Sequence, residues 1–190
     1  MVEVNAKIRL ANGNFKPLTD IKDNDIEDIL IYDHENDEYS KKQWKFDFLG
    51  KRIKLKTYYL LTHNSNDNNQ NNMNSSIYLS EDQIIRVKIG LEGKYNYTKV
   101  KDLCSFLKTY DSNDDNVDVF IKIFKSFSSE NDDKKPLDYI AKYTEDKVFL
   151  INKQKTNTFG LYKYEDSSEK EFIRLLKPDF ISFVLNGILL

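Results

Sequence analysis

A chain of 190 residues is long enough to bury a core without disulfide or metal staples. Lys and Arg number 29 against 31 Asp and Glu, and this net charge of -2, with both signs mixed along the chain, argues against nucleic-acid binding through a cationic surplus. A single cysteine, Cys104, excludes an intramolecular disulfide, and two histidines, His34 and His63, leave too few ligands for a zinc site.

Six Gly and three Pro stand against 12 Tyr and 12 Phe, a balance that suits pleated, half-buried surfaces better than helices. Lys7 to Leu10 alternates polar and apolar residues and then meets Asn12-Gly13, which predicts a strand and a tight turn. Leu18, Ile21 and Ile26 lead into the run Ile29-Leu30-Ile31-Tyr32, read as a buried strand stopped by Asp33. Trp44 to Phe48 alternates, ends at Gly50 and precedes the strand-like Ile53 to Leu61, so a second hairpin is expected there.

The stretch from His63 to Ser76 is almost entirely Asn, Ser, Asp and Gln and buries too little apolar area to offset its ordering entropy, so a disordered loop is expected over 63–76. Ile77-Tyr78-Leu79, Gln83 to Ile89 and Tyr95 to Val100 read as extended segments, and Leu103 to Tyr110 as a short helix. Further polar loops are expected at 111–116 and 126–135, on either side of the alternating Val117 to Phe124. Val148 to Ile151, Phe159 to Tyr164, Phe172 to Leu176 and Phe180 to Leu185 complete about a dozen short strands. The expectation is an all-β chain forming one domain over 1–190.

Ordinary catalytic sets are scarce. His34 sits among Asp33, Glu35, Asn36 and Asp37 and reads as part of a solvated turn, and His63 borders the Asn-rich stretch, so neither suits a catalytic base. The acidic runs lack the spacing and glycine of a calcium loop, and no glycine-rich phosphate cradle exists, so no cofactor and no metal is expected. Cys104 reads as a small core residue, and the cations of Lys51 to Lys56 as a solvated strand face. Phe180 to Leu190, the longest apolar stretch, is too short for a membrane span and misplaced for a signal peptide, which leads to the expectation of an intracellular, cytoplasmic protein with no membrane partner.

Three segments carry a family resemblance. Ala6-Lys7-Ile8-Arg9-Leu10-Ala11-Asn12-Gly13, continued by Phe15-Lys16-Pro17-Leu18-Thr19-Asp20-Ile21-Lys22, is followed in order by Leu79-Ser80-Glu81-Asp82-Gln83 with Tyr97 to Leu103, and by Phe183-Val184-Leu185-Asn186-Gly187-Ile188-Leu189-Leu190. Together they resemble the opening, middle and closing motifs of the Hint family, which comprises inteins and Hedgehog-type autoprocessing domains. The resemblance implies a pseudo-twofold pair of curved β-sheets that brings both chain ends together, with the polar stretches as loop insertions.

It also implies where the chemistry would lie. A first-position Cys or Ser attacks the preceding carbonyl, and that position falls on Met1, whose thioether cannot form a thioester. The activating Thr and His of the middle motif fall on Ser80, which keeps a hydroxyl, and on Gln83, which cannot exchange a proton near neutral pH. The assisting Asp and His fall near Arg174 and Ile181, and the closing His-Asn would follow Leu190. The expectation is a catalytically inactive Hint-like domain kept as a structural or protein-interaction module, with a protein partner or the flanks of a host protein as its contacts. A splicing mini-intein in an inactivated or trimmed form is the enzymatic alternative, and an unrelated β-rich binding protein is a further one.

Overall fold

The structure, a computed structural model, describes residues 1–50, 52–64, 75–90, 92–111, 119–122, 124, 146–148 and 158–190. In chain order its strands are β1 (Val2–Glu3), β2 (Lys7–Arg9), β3 (Phe15–Pro17), β4 (Ile26–Asp33), β5 (Glu38–Lys45), β6 (Ile53–Asn64), β7 (Ser75–Leu79), β8 (Ile84–Ile89) and β9 (Tyr95–Lys99). After the helix α1 (Val100–Asp111) come β10 (Val119–Ile121), β11 (Asp146–Val148), β12 (Thr158–Ile173), β13 (Ile181–Leu185) and β14 (Ile188–Leu189). Strands β1, β12, β6 and β7 close a barrel, β11-β10-β8-β9 form a second sheet, and β3-β2-β13-β4-β5 form a third with β14 paired to β13.

The Asn12-Gly13 turn read from the sequence acts as expected. Gly13 takes φ 90° and the Asn12 side chain accepts the Asn14 N–H at 2.9 Å, joining β2 to β3 with Ile8 opposite Lys16. Asn186 and Gly187, at φ 50° and 80°, form the two-residue turn between β13 and β14 that positive φ at both positions permits. In α1, Val100, Leu103, Cys104 and Leu107 are buried, the i, i+3, i+4, i+7 stripe of an amphipathic helix. The helix starts at Val100, ahead of the expected Leu103.

Other expectations are corrected. Trp44 to Phe48 does not pair with Ile53 to Leu61; Trp44 lies in β5 opposite Glu27 of β4, while β6 takes β7 and β12 as its neighbours. The reason is that Ile29 to Tyr32 is buried on both faces, so β4 needs a strand on each side and takes β5 and β13. Phe159 to Tyr164 and Phe172 to Ile173 are parts of one strand, β12, whose pairing with β6 shifts register between Glu165 and Lys170 and then resumes; Leu175 makes only an isolated bridge to Phe48. Both ends of the expected loop 63–76 are strand instead, because His63 pairs with Ser75 and Thr62 with Ser76, so the ladder extends into polar sequence. Residues 65–74, 112–116 and 126–135 lie outside the described residues.

The core gathers on β13. Ile181, Phe183 and Leu185 join the main cluster with Ile8, Leu18, Ile31, Phe46 and Leu79, while Val184 joins a second cluster with Leu30, Tyr32, Phe124 and Leu189. The period of two in a strand sends its successive side chains into different cores.

Asn186 ties these layers together: its Oδ1 accepts the Lys7 N–H at 2.8 Å and its Nδ2 donates to the Ser76 carbonyl at 2.7 Å. Asn186→Ala should therefore cost about 1–3 kcal/mol in urea denaturation, from two lost hydrogen bonds and an alanine forced to positive φ. Asn186→Gly, which relieves the backbone term, should cost less.

Candidate functional site

Register assembles the site. Val2 lies between Leu79 of β7 and Ile173 of β12, both antiparallel to it, so the residue before Val2 meets the residues after Leu79 and Ile173. These are Met1, Ser80 and Arg174. The Ser80 N–H donates to the Met1 carbonyl at 2.9 Å, and the Met1 nitrogen donates to Ser80 Oγ at 2.6 Å and lies 3.5 Å from Asp82 Oδ1. Ser80 Oγ also hydrogen-bonds Asp82, whose other oxygen accepts from Arg174 Nη2 at 2.8 Å. Burial pushes the Met1 α-amino group down to about 6 even though Asp82 pulls it up, while Ser80, the Met1 amine and Arg174 hold the Asp82 carboxyl low against its own desolvation.

Helix α1 fixes the turn that carries these groups. The Gln83 carbonyl accepts the Val100 N–H at 2.9 Å and the Glu81 carbonyl accepts the Lys101 N–H at 3.2 Å, while the turn closes on itself through Gln83 N–H to Ser80 O at 3.1 Å. The Gln83 side-chain amide donates to the Ile84 carbonyl at 2.9 Å.

Met1, Gln83, Arg174 and Leu190 all line one cavity of about 410 Å³. Leu190 reaches it because its N–H and carbonyl pair with Phe183 at 3.0 and 2.7 Å, closing the β13–β14 hairpin. Ile181 is not in the lining; it is a buried core residue whose carbonyl accepts from Lys177 Nζ at 2.8 Å. Its neighbour Ser182 is in the lining. So the structure brings Met1, Ser80, Gln83, Arg174 and Leu190 together and leaves Ile181 outside.

His34 is not in a solvated turn. It lies in the β4–β5 connection, but β13 pairs Ser182 with Tyr32, which brings Ser182 Oγ to 2.7 Å from His34 Nε2. Arg86 of β8 hydrogen-bonds His34 Nδ1, and Tyr32 meets the imidazole edge-on at 4.9 Å. The Tyr32 hydroxyl hydrogen-bonds Asp37, and Lys122 donates to both, at 2.8 Å to Tyr32 and 2.9 Å to Asp37. Sequence reasoning missed this cluster because its members come from β4 and the β4–β5 connection, from β8, from the residue after β10 and from β13, and only the packing of two sheets joins them. Asp82 was within reach: it stands between Ser80 and Gln83 in the motif itself. His63 is buried too, and burial pushes the thiol of Cys104, part of the main core, upward. No group of three metal-ligating side chains forms among the described residues.

Burial, with the cations Arg86, Lys122 and Lys177 outweighing Asp33, lowers the imidazole of His34 to about 3. An unfolded histidine titrates near ~6.5, so between these values the unfolded chain binds more protons and stability falls as the pH drops. Between pH 7.5 and 5, the native chain should therefore lose more stability in urea denaturation than His34→Gln does. The difference should stay below about 1.4 kcal/mol per pH unit, the ceiling for one group, since the ring is part-exposed.

No protein-family model matches the sequence, and no curated protein matches it. Among solved structures, the chain is similar to the crystal structure of the PabCDC21-1 intein, with 12% identity and a TM-score of 0.54, over 100% of this chain and 96% of that one. At that identity the likeness speaks for the fold alone, and the fold of this chain is all-β and intein-like.

Proposed function

We propose that this chain is a Hint-like domain without autoprocessing chemistry, kept as a structural or protein-interaction module. One observation carries the reading: the nitrogen at position 1 is held by Ser80 and Asp82, yet the side chain at that position is a thioether. The first step of Hint chemistry needs a thiol or hydroxyl there, and methionine has neither. Beside it, the Gln83 amide spends a donor on the Ile84 carbonyl and has no proton to exchange with a leaving nitrogen. Loss of a positioned acid-base group alone costs about 10²–10⁴-fold in rate.

A second reading is a splicing mini-intein in inactivated form, and what favours it is the same retained grip on the Met1 nitrogen. Under either reading the contacts of the domain are proteins, a separate partner or the flanks of a host chain. Among the described residues no helix is long and apolar enough to cross a membrane.

With flanking segments fused to both ends and excess thiol added, the unmodified chain should stay intact, as followed by mass spectrometry. Cleavage would overturn the proposal. The double variant Met1→Cys with Gln83→His separates the two readings: thiol-dependent cleavage at position 1 supports the inactivated intein, and an inert variant supports the repurposed module.

A further inference from the structure

The same cavity carries an electrostatic imbalance that the reading above does not use. Four cationic side chains line it, Arg86, Lys99, Arg174 and Lys177, against two carboxylate side chains, Asp82 and Asp179. Arg174 is neutralised by Asp82. Asp179 is exposed. Arg86 and Lys177 are each part-buried, and among the described residues neither has a carboxylate within ion-pair distance. Arg86 donates to a neutral imidazole, and Lys177 to the Ile181 carbonyl. Asp37 and Asp179 act on Arg86 and Lys177 only from beyond that distance. A part-buried cation without an ion-paired carboxylate is costly, and two on one cavity wall call for an anion.

The histidine between them decides a proton. An arginine can only donate, so His34 Nδ1 must be the acceptor from Arg86, and the imidazole proton therefore sits on Nε2. Nε2–H then donates to Ser182 Oγ, and the hydroxyl proton of Ser182 is left without an acceptor among the described residues. Ser182 is buried and lines the cavity. Three donors with unused capacity thus share the wall: Arg86, Lys177 and Ser182. Ile84, half-exposed, and Leu175 supply apolar surface in the same lining.

We propose that this cavity binds a small organic anion, its carboxylate or phosphate head held by Arg86, Lys177 and the Ser182 hydroxyl, and its apolar body lying against Ile84 and Leu175. Its volume suits such a ligand. Arg86, Lys122 and Lys177 add to burial in lowering the His34 imidazole, which fits a wall with excess positive potential that an anion relieves. The site goes beyond the inactive-domain reading and does not depend on it, because binding is measured without any cleavage reaction.

The test is calorimetric titration of the full chain with hexanoate, hexyl phosphate, acetate, inorganic phosphate and hexanol. Trp44 gives a second signal, since its ring lies 5.3 Å from that of the lining residue Phe183. Hexanoate or hexyl phosphate should saturate with a dissociation constant below about 1 mM, and its headgroup alone and hexanol should each bind at least about tenfold more weakly. The tighter of the two alkyl anions identifies the head. Lys177→Gln and Ser182→Ala should each weaken binding by about tenfold with the circular dichroism spectrum unchanged, the scale of one charge-assisted or otherwise unsatisfied hydrogen bond. Arg86→Gln should do the same, and if that variant does not fold, the other two decide. Binding should also raise the pKa of His34, read by NMR. Absence of saturation below about 1 mM for both alkyl anions, equal binding of hexanol, or undiminished binding in both Lys177→Gln and Ser182→Ala overturns the proposal.

Discussion

The arrangement depends on one short strand. All five residues of β13 are buried, and its edges are taken by β2, β4 and β14. Because it is buried on both faces, it cannot lie on a surface, and the chain has to be built around it. Pairing Leu185 with Ile8 brings the opening strand to the closing one, and pairing Ser182 with Tyr32 brings in the His34 turn. Each inward residue adds to the constraint: truncating a buried phenylalanine such as Phe183 typically costs about 3–5 kcal/mol.

From that frame the site follows by register. Val2 is hydrogen-bonded between two strands, so Met1, Ser80 and Arg174 are neighbours although they are 79 and 94 positions apart from one another in sequence. The grip on the Met1 nitrogen is made by the Ser80 hydroxyl and the Asp82 carboxylate and does not involve the side chain at position 1, which is why it coexists with a thioether there. Nearby, Arg174 pairs with Asp82, and burial together with Arg86 keeps the His34 ring neutral. His34 stands beside the cavity, bonded at both nitrogens by Arg86 and Ser182.

Local signals in the sequence were readable. The Asn-Gly pair at 12–13 and the helix expected from Leu103 each combine a residue preference with a short-range geometry, and each forms, the helix starting earlier, at Val100. What was not readable depends on long-range pairing. Trp44 to Phe48 carries the same alternation whether it pairs with β4 or β6, and the choice belongs to the two-faced burial of Ile29 to Tyr32. The polar residues of Asp33 to Asp37 look like any solvated turn until Lys122, just after β10, and Ser182 of β13 reach them. Ile181 stands one residue from Ser182, which lines the cavity, while Ile181 itself lies in the main core.

The central claim is that the closing hairpin on β13 is part of the core and not a loose chain end. Native-state hydrogen exchange tests it directly at the amides of Phe183, Asn186 and Leu190, which donate to Leu190, Lys7 and Phe183. The account predicts that these amides exchange only through global unfolding, together with those of β4. Exchange of Leu190 and Phe183 at the rate of a frayed terminus, with β4 still protected, would contradict it.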